Sequence, residues 1–476
     1  MHDRFSFAAL SLLVAGTCCA AEPPALTIYR ADSDALFENG GSPISEGYAI
    51  VHEQRSMKLA GGKQTLVLDG LPTTLDAEAV SIDLGTNSRI LAQRVLSTGD
   101  GGALSAHRGE KIAIALRGGS TLQGTLLDID GGSLIVRDEA SAQTTYVREY
   151  DTLRFAEGSG LPGSTLQLVV DASAGTVPAV LTYPTSGLGW RAAYSALLLG
   201  SEGCRMRLDA LASIANRSGR DFPASKLKLV AGSPNFARNG GPRPMAMKST
   251  MVARGAPEQM PEQSGPGDYR SYAIDGDLDL PDTSVTQVPL YAARELDCKR
   301  AWIVENGGAW FPQKPMTTPD AMQGGGGPVV SELSFATTEN LPAGHLRVLM
   351  RDRDGRVEFL GESNTGDVSK GRNVNIALGN AFDLSETRER TAFSVDKTAH
   401  EMNEGFRITL TNSGETARTI SVREHPNRWR AWSLLSSSQK PSKQTPDLLE
   451  FDVAVPAGGK ATLDYVVRYH WLPTDE

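Results

Sequence analysis

Long apolar runs and basic segments are the features that this 476-residue sequence most clearly lacks. No stretch beyond the N-terminal region reaches the about 18 consecutive apolar residues of a membrane-spanning helix, so we expect no transmembrane span. Acidic residues outnumber basic ones by 56 to 47, and the net charge is −9. A dispersed negative charge argues against nucleic-acid binding, which requires a basic surface.

Motifs of several enzyme classes are missing as well. The sequence has no Gly-x-Ser-x-Gly elbow of an α/β-hydrolase. Proline, rather than the Lys-Ser/Thr of a phosphate-binding loop, follows Gly324–Gly327. His52–Glu53 and His400–Glu401 lack the second histidine of a zinc-protease motif. From these motifs we predict no catalytic residue, no metal and no cofactor.

One acidic row could still carry chemistry. If Asp275, Asp277 and Asp279 lie on a strand, their side chains share one face. Asp277 and Asp279 could then form the acid/base pair of a hydrolase, or the row could bind calcium. The favoured alternative is a solvated outer face with Ile274, Leu278 and Leu280 directed inward.

Short alternating runs separated by Gly, Asn and Asp recur along the whole chain, and amphipathic helical patterns are rare. This periodicity predicts an all-β fold, and the length predicts several modules. The predicted domains are a signal peptide (1–21), a small N-terminal β domain (22–104), a small β-barrel (105–157), a β-sandwich-like domain (158–320) with a flexible insert (235–268), and a C-terminal β-sandwich domain (321–476).

The barrel prediction comes from Gly109–Phe155, where five strand-like runs follow one another closely. Gly124 lies inside the second run, where it would suit a sharp bend. The pattern resembles an SH3-like or Sm-like barrel. Relatives of such barrels include RNA binders, but the segment has no basic, aromatic face to support that use.

The clearest hairpin pattern lies within Leu341–Ala392, where Asp354-Gly355 is a two-residue turn signal. The predicted register pairs Arg347 with Glu362, Val348 with Gly361, Leu349 with Leu360, Met350 with Phe359 and Arg351 with Glu358. It aligns an apolar pair and two opposite-charge pairs, which favours it over a one-residue slip. A calcium loop at Asp352 is the alternative, but the following strand lacks the other oxygen ligands.

The N-terminus has the pattern of a secretory signal peptide. Arg4 supplies positive charge, Phe5–Thr17 is apolar and small, and cleavage is expected after Ala20 or Ala21. We therefore expect a periplasmic or secreted protein. A lipoprotein is the less favoured alternative, because Thr17 separates a lipobox-like run from Cys18. A buried N-terminal helix is the remaining alternative.

Cleavage would leave two cysteines, Cys204 and Cys298. An exported protein with two cysteines is expected to pair them, so we predict a disulfide. Two separate buried thiols are the alternative.

Two tryptophans and two arginines come together in Asn427–Trp432. An exposed Trp429 flanked by Arg428 and Arg430 would suit a glycan or a protein partner. The alternative is core and edge packing, because strand parity would place Trp429 and Trp432 on opposite faces.

Three blocks of the sequence resemble a bacterial envelope family. They are Leu188-Gly-Trp190-Arg-Ala-Ala-Tyr194 with Ala215-Asn216-Arg-Ser-Gly219-Arg-Asp221-Phe222, then the hairpin segment through Asp383, and then Trp432 through Tyr465. The similarity covers roughly residues 178–470. The family's C-terminal part is a β-rich domain of unknown function that is shared with mucoidy-inhibitor-type proteins. The resemblance implies β-sandwich modules and export, and it carries over no catalytic residue.

Two functions follow as hypotheses. The first is an exported, non-enzymatic envelope protein that binds or scaffolds through contacts with a protein or a glycan. The second is a hydrolase of envelope polymers that uses Asp277 and Asp279. A buried acidic pair in a cleft would favour the hydrolase, and a solvated acidic face would favour binding.

Overall fold

A computed structural model describes residues 22–38, 40, 43–96, 104, 107–130, 132–155, 163–199, 204–232, 263–264, 269–319, 326–352 and 354–475. The predicted signal peptide and nearly all of the predicted insert lie outside the described residues. Most of the described residues lie in strands and helix is rare, which confirms the all-β prediction. None of its helices has the length and apolar character to cross a membrane.

The elements of the first half of the chain are β1 (Ala25–Tyr29), α1 (Asp34–Phe37), β2 (Ala49–Leu59), β3 (Gly62–Leu71), β4 (Ser81–Asp83), β5 (Ser88–Leu96), β6 (Lys111–Leu116), β7 (Thr121–Asp130), β8 (Ser133–Asp138), β9 (Thr144–Val147), β10 (Tyr150–Arg154), β11 (Ser164–Ala172), β12 (Gly175–Thr185), β13 (Leu188–Leu198), β14 (Arg205–Asn216) and β15 (Phe222–Ala231).

The remaining elements are β16 (Gln263–Ser264), β17 (Arg270–Leu280), β18 (Ser284–Asn306), β19 (Val330–Ala336), β20 (Gly344–Arg351), β21 (Val357–Thr365), β22 (Asn373–Asn380), β23 (Leu384–Asp396), β24 (Glu401–Asn412), β25 (Arg418–Glu424), β26 (Trp432–Ser437), β27 (Lys443–Thr445), β28 (Leu448–Val455), β29 (Gly459–His470) and a 3-10 turn (Pro473–Asp475).

These elements form two compact units. Unit 1 comprises Met1–Trp190 and Ser213–Gln287, and unit 2 comprises Arg191–Ala212 and Val288–Glu476. Each unit is therefore built from two stretches of chain, and β13, β14 and β18 contribute residues to both. The four predicted module boundaries remain predictions.

Unit 1 contains a seven-stranded, a five-stranded and a three-stranded sheet. In the seven-stranded sheet, β1 pairs in parallel with β15 and antiparallel with β2. The neighbouring strand β12 buries alternate residues, among them Ala179, Leu181 and Tyr183. This period of two directs one face of β12 into the core of unit 1.

The predicted barrel is an open sheet of five antiparallel strands in the order β10-β6-β7-β8-β9. The short strand β9 pairs with β8, and β10 pairs with β6, so the two edge strands do not meet in the described residues. The prediction of a closed barrel is therefore wrong. Gly124 is required where β8 approaches, because a Cβ atom there would lie 2.4 Å from the carbonyl oxygen of Arg137.

Unit 2 is built around a sandwich. One layer is the four-stranded sheet β23-β24-β29-β26, and the other belongs to a ten-stranded sheet that contains β18, β25 and β28. One hydrophobic cluster receives residues from both layers, including Ile420 and Phe451 from one and Phe406, Leu463 and Val467 from the other. A sandwich core therefore forms in the C-terminal part of the chain.

The predicted hairpin is present as β20 and β21, but its register changes along the strands. Arg347 pairs with Glu362 and Val348 with Gly361 as predicted, whereas Leu349 pairs with Phe359, Met350 with Glu358 and Arg351 with Val357. The three predicted pairs nearest the turn are therefore wrong. The cause is Asp352, whose Oδ1 accepts the N–H groups of Asp354 and Arg356 and widens the turn. A bulge follows Val348.

Candidate functional site

Two strands of unit 2 carry carboxylates in the rows of side chains that face the core. In β24, alternation places Glu404 between Met402 and Phe406, and all three are buried. In β25, Glu424 follows Val422 in the same way. A buried charge is costly unless it is paired, so each carboxylate needs partners from neighbouring elements.

Glu424 receives its partners from three strands. Arg388 of β23 donates to Glu424 Oε2 through Nη2 at 2.9 Å and through Nε at 3.2 Å. Tyr465 of β29 donates its hydroxyl to the same oxygen. Asn306 of β18 donates its amide to Oε1 at 2.7 Å. The carboxylate is thereby held in place and its charge is compensated.

This arrangement determines the protonation of Arg388 and Tyr465. Burial by itself would lower the pKa of Arg388, but the adjacent Glu424 and Tyr465 outweigh it and raise that pKa. Burial, together with the charge of Glu424, raises the pKa of Tyr465 well above its ordinary value. Arg388 is therefore a cation and Tyr465 a neutral hydroxyl donor at neutral pH.

A third carboxylate, Glu386, shares the amide of Asn306 with Glu424. Asn306 Nδ2 donates to Glu386 Oε1 at 2.6 Å, and the backbone N–H of Gly327 donates to Oε2 at 2.9 Å. Burial, with a further contribution from the charge of Glu424, raises the pKa of Glu386. A carboxyl group with raised proton affinity therefore lies next to a fixed carboxylate.

Arg428 links Glu404 to an irregular segment, residues 307–319, which we call the 307–319 loop. Its Nε donates to Glu404 Oε2 at 2.8 Å, and its Nη2 forms an ion pair with Oε1 at 2.8 Å. Its Nη1 donates to the carbonyl oxygens of Met316 at 3.0 Å and Thr318 at 2.9 Å. One buried side chain thus fixes both a carboxylate and the end of the loop.

His425 lies between a backbone carbonyl and a carboxylate. Its Nδ1 is 2.6 Å from the carbonyl oxygen of Asp447, and its Nε2 is 2.9 Å from Glu305 Oε1. A carbonyl oxygen can only accept, so Nδ1 carries a proton. On the other side of the ring, Nε2 contacts the Glu305 carboxylate. The imidazole is fixed in orientation by both contacts.

Several of these residues, together with some of their neighbours, line a cavity of about 350 Å³. Its lining residues are Glu305, Asn306, Gly307, Gly327, Arg388, Glu404, Phe406, His425, Pro426, Asn427, Tyr465, Val467 and Tyr469. The volume falls at the low end of the range for small-molecule sites, about 300–1,000 Å³. The wall combines aromatic rings, amides and paired charges, and the described residues that form it include no serine, threonine, cysteine or lysine nucleophile. The arrangement is suited to binding a small polar group.

A second buried charge cluster lies in unit 1. Arg220 donates to Glu53 Oε2 at 2.7 Å and to Oε1 at 3.1 Å, and Arg55 donates to Oε1 at 2.9 Å. Tyr183 completes the cluster through its hydroxyl, 2.6 Å from Arg220 Nη1. Burial alone would raise the pKa of Glu53, but Arg220 and Arg55 outweigh it and lower that pKa. With every member paired, this cluster is a structural ion pair.

The predicted disulfide is present. Cys204 and Cys298 are bonded, with their Cα atoms 4.9 Å apart. The backbone N–H of Cys298 also donates to the carbonyl oxygen of Cys204 at 2.8 Å. Both residues belong to unit 2, so the bond cross-links this unit.

Two of the three residues of the predicted partner surface, Trp429 and Arg428, are buried. Trp429 is 2% exposed and Arg428 is 1% exposed, because the ring belongs to the sandwich core and the guanidinium is paired with Glu404. Arg430 is exposed and pairs with Asp475. The alternative of core packing therefore describes Trp429, whereas Trp432 lies at the start of β26.

The acidic row of β17 is solvated. Asp275, Asp277 and Asp279 are all exposed, and Asp279 Oδ1 accepts the backbone N–H of Ala224 at 2.8 Å. Asp277 lies opposite Lys226 on β15. These residues do not line the cavity described above. Within the described residues, no group of three or more His, Cys, Asp or Glu side chains could hold a metal ion.

Sequence reasoning missed the cavity residues, although one signal was available. A charged residue in a row that is otherwise apolar at every second position marks Glu404 on β24 and Glu424 on β25. Their partners Arg388 and Tyr465 occupy inward rows of β23 and β29. The signal identifies the row, but it does not reveal which strands face each other.

The comparisons with known proteins concern mainly the second half of the chain. A family model described as Domain of unknown function (DUF4139) matches residues 179–472, which include every residue that lines the cavity. No curated protein matches the sequence.

Proposed function

Since the chain belongs to the DUF4139 family, whose description states no activity, we propose a function from the geometry of the cavity. We infer that the protein is an exported, non-enzymatic envelope protein that binds a partner by receiving a small polar group in this cavity. The finer relation to mucoidy-inhibitor-type proteins is part of the same proposal.

The observation that carries the proposal is the pairing of the charged groups around the cavity. Glu424 is held by Arg388, Glu404 by Arg428, and His425 by Glu305. A site whose side chains are already fixed loses little conformational entropy when a ligand enters, which favours affinity. Side chains held in this way form a rigid cavity wall that can recognise a ligand through hydrogen bonds.

Glu386 and Glu424 meet part of the condition that would favour a hydrolase, because they are two neighbouring buried carboxyls and the pKa of one is raised. Both, however, are engaged by the amide of Asn306, and neither lines the cavity itself. A general acid must reach the atom that it protonates. The Glu386–Glu424 pair therefore stabilises the structure around the cavity and is poorly placed to act as a general acid.

Export is supported by the disulfide. A bond between Cys204 and Cys298 is expected to persist in an oxidising compartment and to be rare in a reducing cytosol. We propose a periplasmic or secreted location after cleavage behind Ala20 or Ala21.

The test is a binding screen with two matched substitutions. Val467→Phe enlarges a buried residue of the cavity wall, whereas Val357→Phe makes the same change at an exposed position of β21. The ligands are soluble glycan and peptide fragments released from bacterial envelopes. We expect the wild type and Val357→Phe to retain the same ligands and Val467→Phe to lose them by at least about tenfold.

Thermal unfolding confirms that both variants are folded before the comparison is made. Equal binding by all three proteins, or no binding by the wild type, would overturn the proposal. Hydrolysis of a retained ligand that is lost in Asp277→Asn would instead establish the hydrolase.

A further inference from the structure

The 307–319 loop carries an exposed tryptophan beside the cavity. Trp310 is 47% exposed, and the adjacent Phe311 is also exposed. Trp190, Trp429 and Trp471 are buried. An indole that stays in solvent while others of its kind are buried indicates a binding surface when its position is fixed by the fold.

The fold does fix Trp310 at the cavity wall. The carbonyl oxygen of Gly308 accepts the backbone N–H of Trp310 at 2.8 Å and the side-chain amide of Asn427 at 3.3 Å. Asn427 lines the cavity, and so does Gly307, the residue before Gly308. A Cβ atom on Gly308 would lie 3.3 Å from the indole Cδ1, so the ring lies against this glycine.

The far end of the same loop is held as well. Arg428 binds the carbonyl oxygens of Met316 and Thr318, and the N–H of Met316 donates to the carbonyl oxygen of Arg428 at 3.1 Å. Arg390 donates to the carbonyl oxygen of Pro319. Hydrogen bonds at both ends therefore hold the backbone of the loop that carries the exposed indole.

The chemistry of the two neighbouring surfaces matches a neutral glycan. The cavity wall includes the amides of Asn306 and Asn427 and the hydroxyls of Tyr465 and Tyr469, which are groups of the kind that contact sugar hydroxyls. Its Arg388 and Glu404 are compensated by ion pairs within the protein, so these two groups offer little net charge to a charged peptide or a phosphate. The apolar C–H face of a sugar ring complements the face of an indole.

We propose that the cavity holds one ring of a neutral glycan and that Trp310 stacks against the next ring as it leaves the cavity. The small volume supports placing one ring inside the cavity and the next outside it, because about 350 Å³ leaves most of an oligosaccharide outside the cavity. This inference rests on the proposed binding function and adds the ligand class and a second subsite.

The test compares short and long ligands. The probes are the monosaccharides glucose, galactose, mannose and N-acetylglucosamine and their uncharged linear tetramers, and dissociation constants are measured by calorimetry. We expect the wild type to bind at least one tetramer more tightly than its monosaccharide. Trp310→Ala should weaken the binding of that tetramer by roughly 3- to 10-fold, the effect of one aromatic contact, and leave the binding of the monosaccharide unchanged.

Two further variants complete the design. Trp310→Phe should recover most of the tetramer affinity, because it keeps an aromatic face, and Phe359→Ala removes an exposed ring of β21 that does not line the cavity and should have no effect. Tetramer binding that is unchanged in Trp310→Ala but lost in Val467→Phe would overturn the stacking subsite and leave the proposed function intact. Binding of peptide fragments with no binding of any sugar would overturn the glycan assignment.

Discussion

At the scale of single residues, unit 2 differs from an ordinary sandwich by the charged side chains that face its core. The alternation of β24 makes Glu404 an inward residue from the sequence alone, since Met402, Phe406 and Ile408 share its row. The sequence could not show that Arg428 neutralises it, because that residue lies in an irregular segment. The inward row that contains Glu404 could therefore be predicted from the sequence. Its ion pair with Arg428 could be seen only in the folded structure.

The hydroxyl of Tyr465 tests the network around Glu424. We expect Tyr465→Phe to reduce the free energy of unfolding by about 1.5–3 kcal/mol, the usual loss for a hydrogen bond to a charged group. Tyr146 is 63% exposed, so Tyr146→Phe is the matched control and should change stability little. Urea denaturation measures both. An equal effect of the two substitutions would contradict the assigned role of Tyr465.

Glu53 makes stability depend on pH. Its pKa in the folded protein lies below the ordinary value of 4.5, so its stabilisation is complete above about pH 4.5 and is lost as pH falls through the lowered value. Glu53→Gln leaves Arg220 buried without its partner and should cost about 3–5 kcal/mol at pH 7. The difference in unfolding free energy between the variant and the wild type should narrow steadily below pH 4.5.

Urea denaturation at several pH values measures this gap. The matched control is Glu139→Gln, which removes an exposed ion pair with Lys111 and should cost less than about 1 kcal/mol. A gap that stays constant from pH 7 to pH 3 would show that Glu53 is not the titrating group.

At the scale of strands and turns, local patterns predicted the elements better than their pairing. The Asp-Gly signal located the hairpin of β20 and β21, but Asp352 widened the turn and moved the pairs beside it. In the five-stranded sheet the strand runs were recognised, and the closure into a barrel was not borne out. Pairing and closure depend on contacts between distant residues, which a local pattern does not contain.

Gly124 provides a test at this scale. A Cβ atom there would meet the backbone of β8, so Gly124→Ala should separate β7 from β8 and cost more than about 2 kcal/mol. The control is Gly366→Ala, because no atom lies within 4 Å of the corresponding Cβ position. Hydrogen exchange of Lys111–Arg154 measures the opening of this sheet. Slow exchange in Gly124→Ala, equal to that of the wild type, would contradict the prediction.

At the scale of the whole molecule, the units do not follow the order of the sequence. Each consists of two stretches of chain, and the strands β13, β14 and β18 contribute to both units. The consecutive modules predicted from composition and turn signals remain a prediction. The predicted bond between Cys204 and Cys298 is confirmed, and it could be predicted because only two cysteines remain in the proposed mature chain.

The disulfide gives a test of the proposed export. A double substitution, Cys204→Ala with Cys298→Ala, should lower the free energy of unfolding by about 2–5 kcal/mol. Alkylation under denaturing conditions should find no free thiol in protein exported from a bacterial host. A chain that lacks residues 2–21 and stays in the cytosol should show free Cys204 and Cys298. Equal labelling of the two proteins would argue against export as the origin of the bond.

The parallel pairing of β1 with β15 has a consequence for biogenesis. Ala25 lies opposite Lys226, so the strand made early in synthesis adjoins one made much later. If the chain is exported as proposed, it crosses the membrane from its amino end, and one edge of β1 stays unpaired until β15 has crossed. Such late closure exposes an aggregation-prone strand edge. Holding chaperones on the far side of the membrane would shield this edge during the delay.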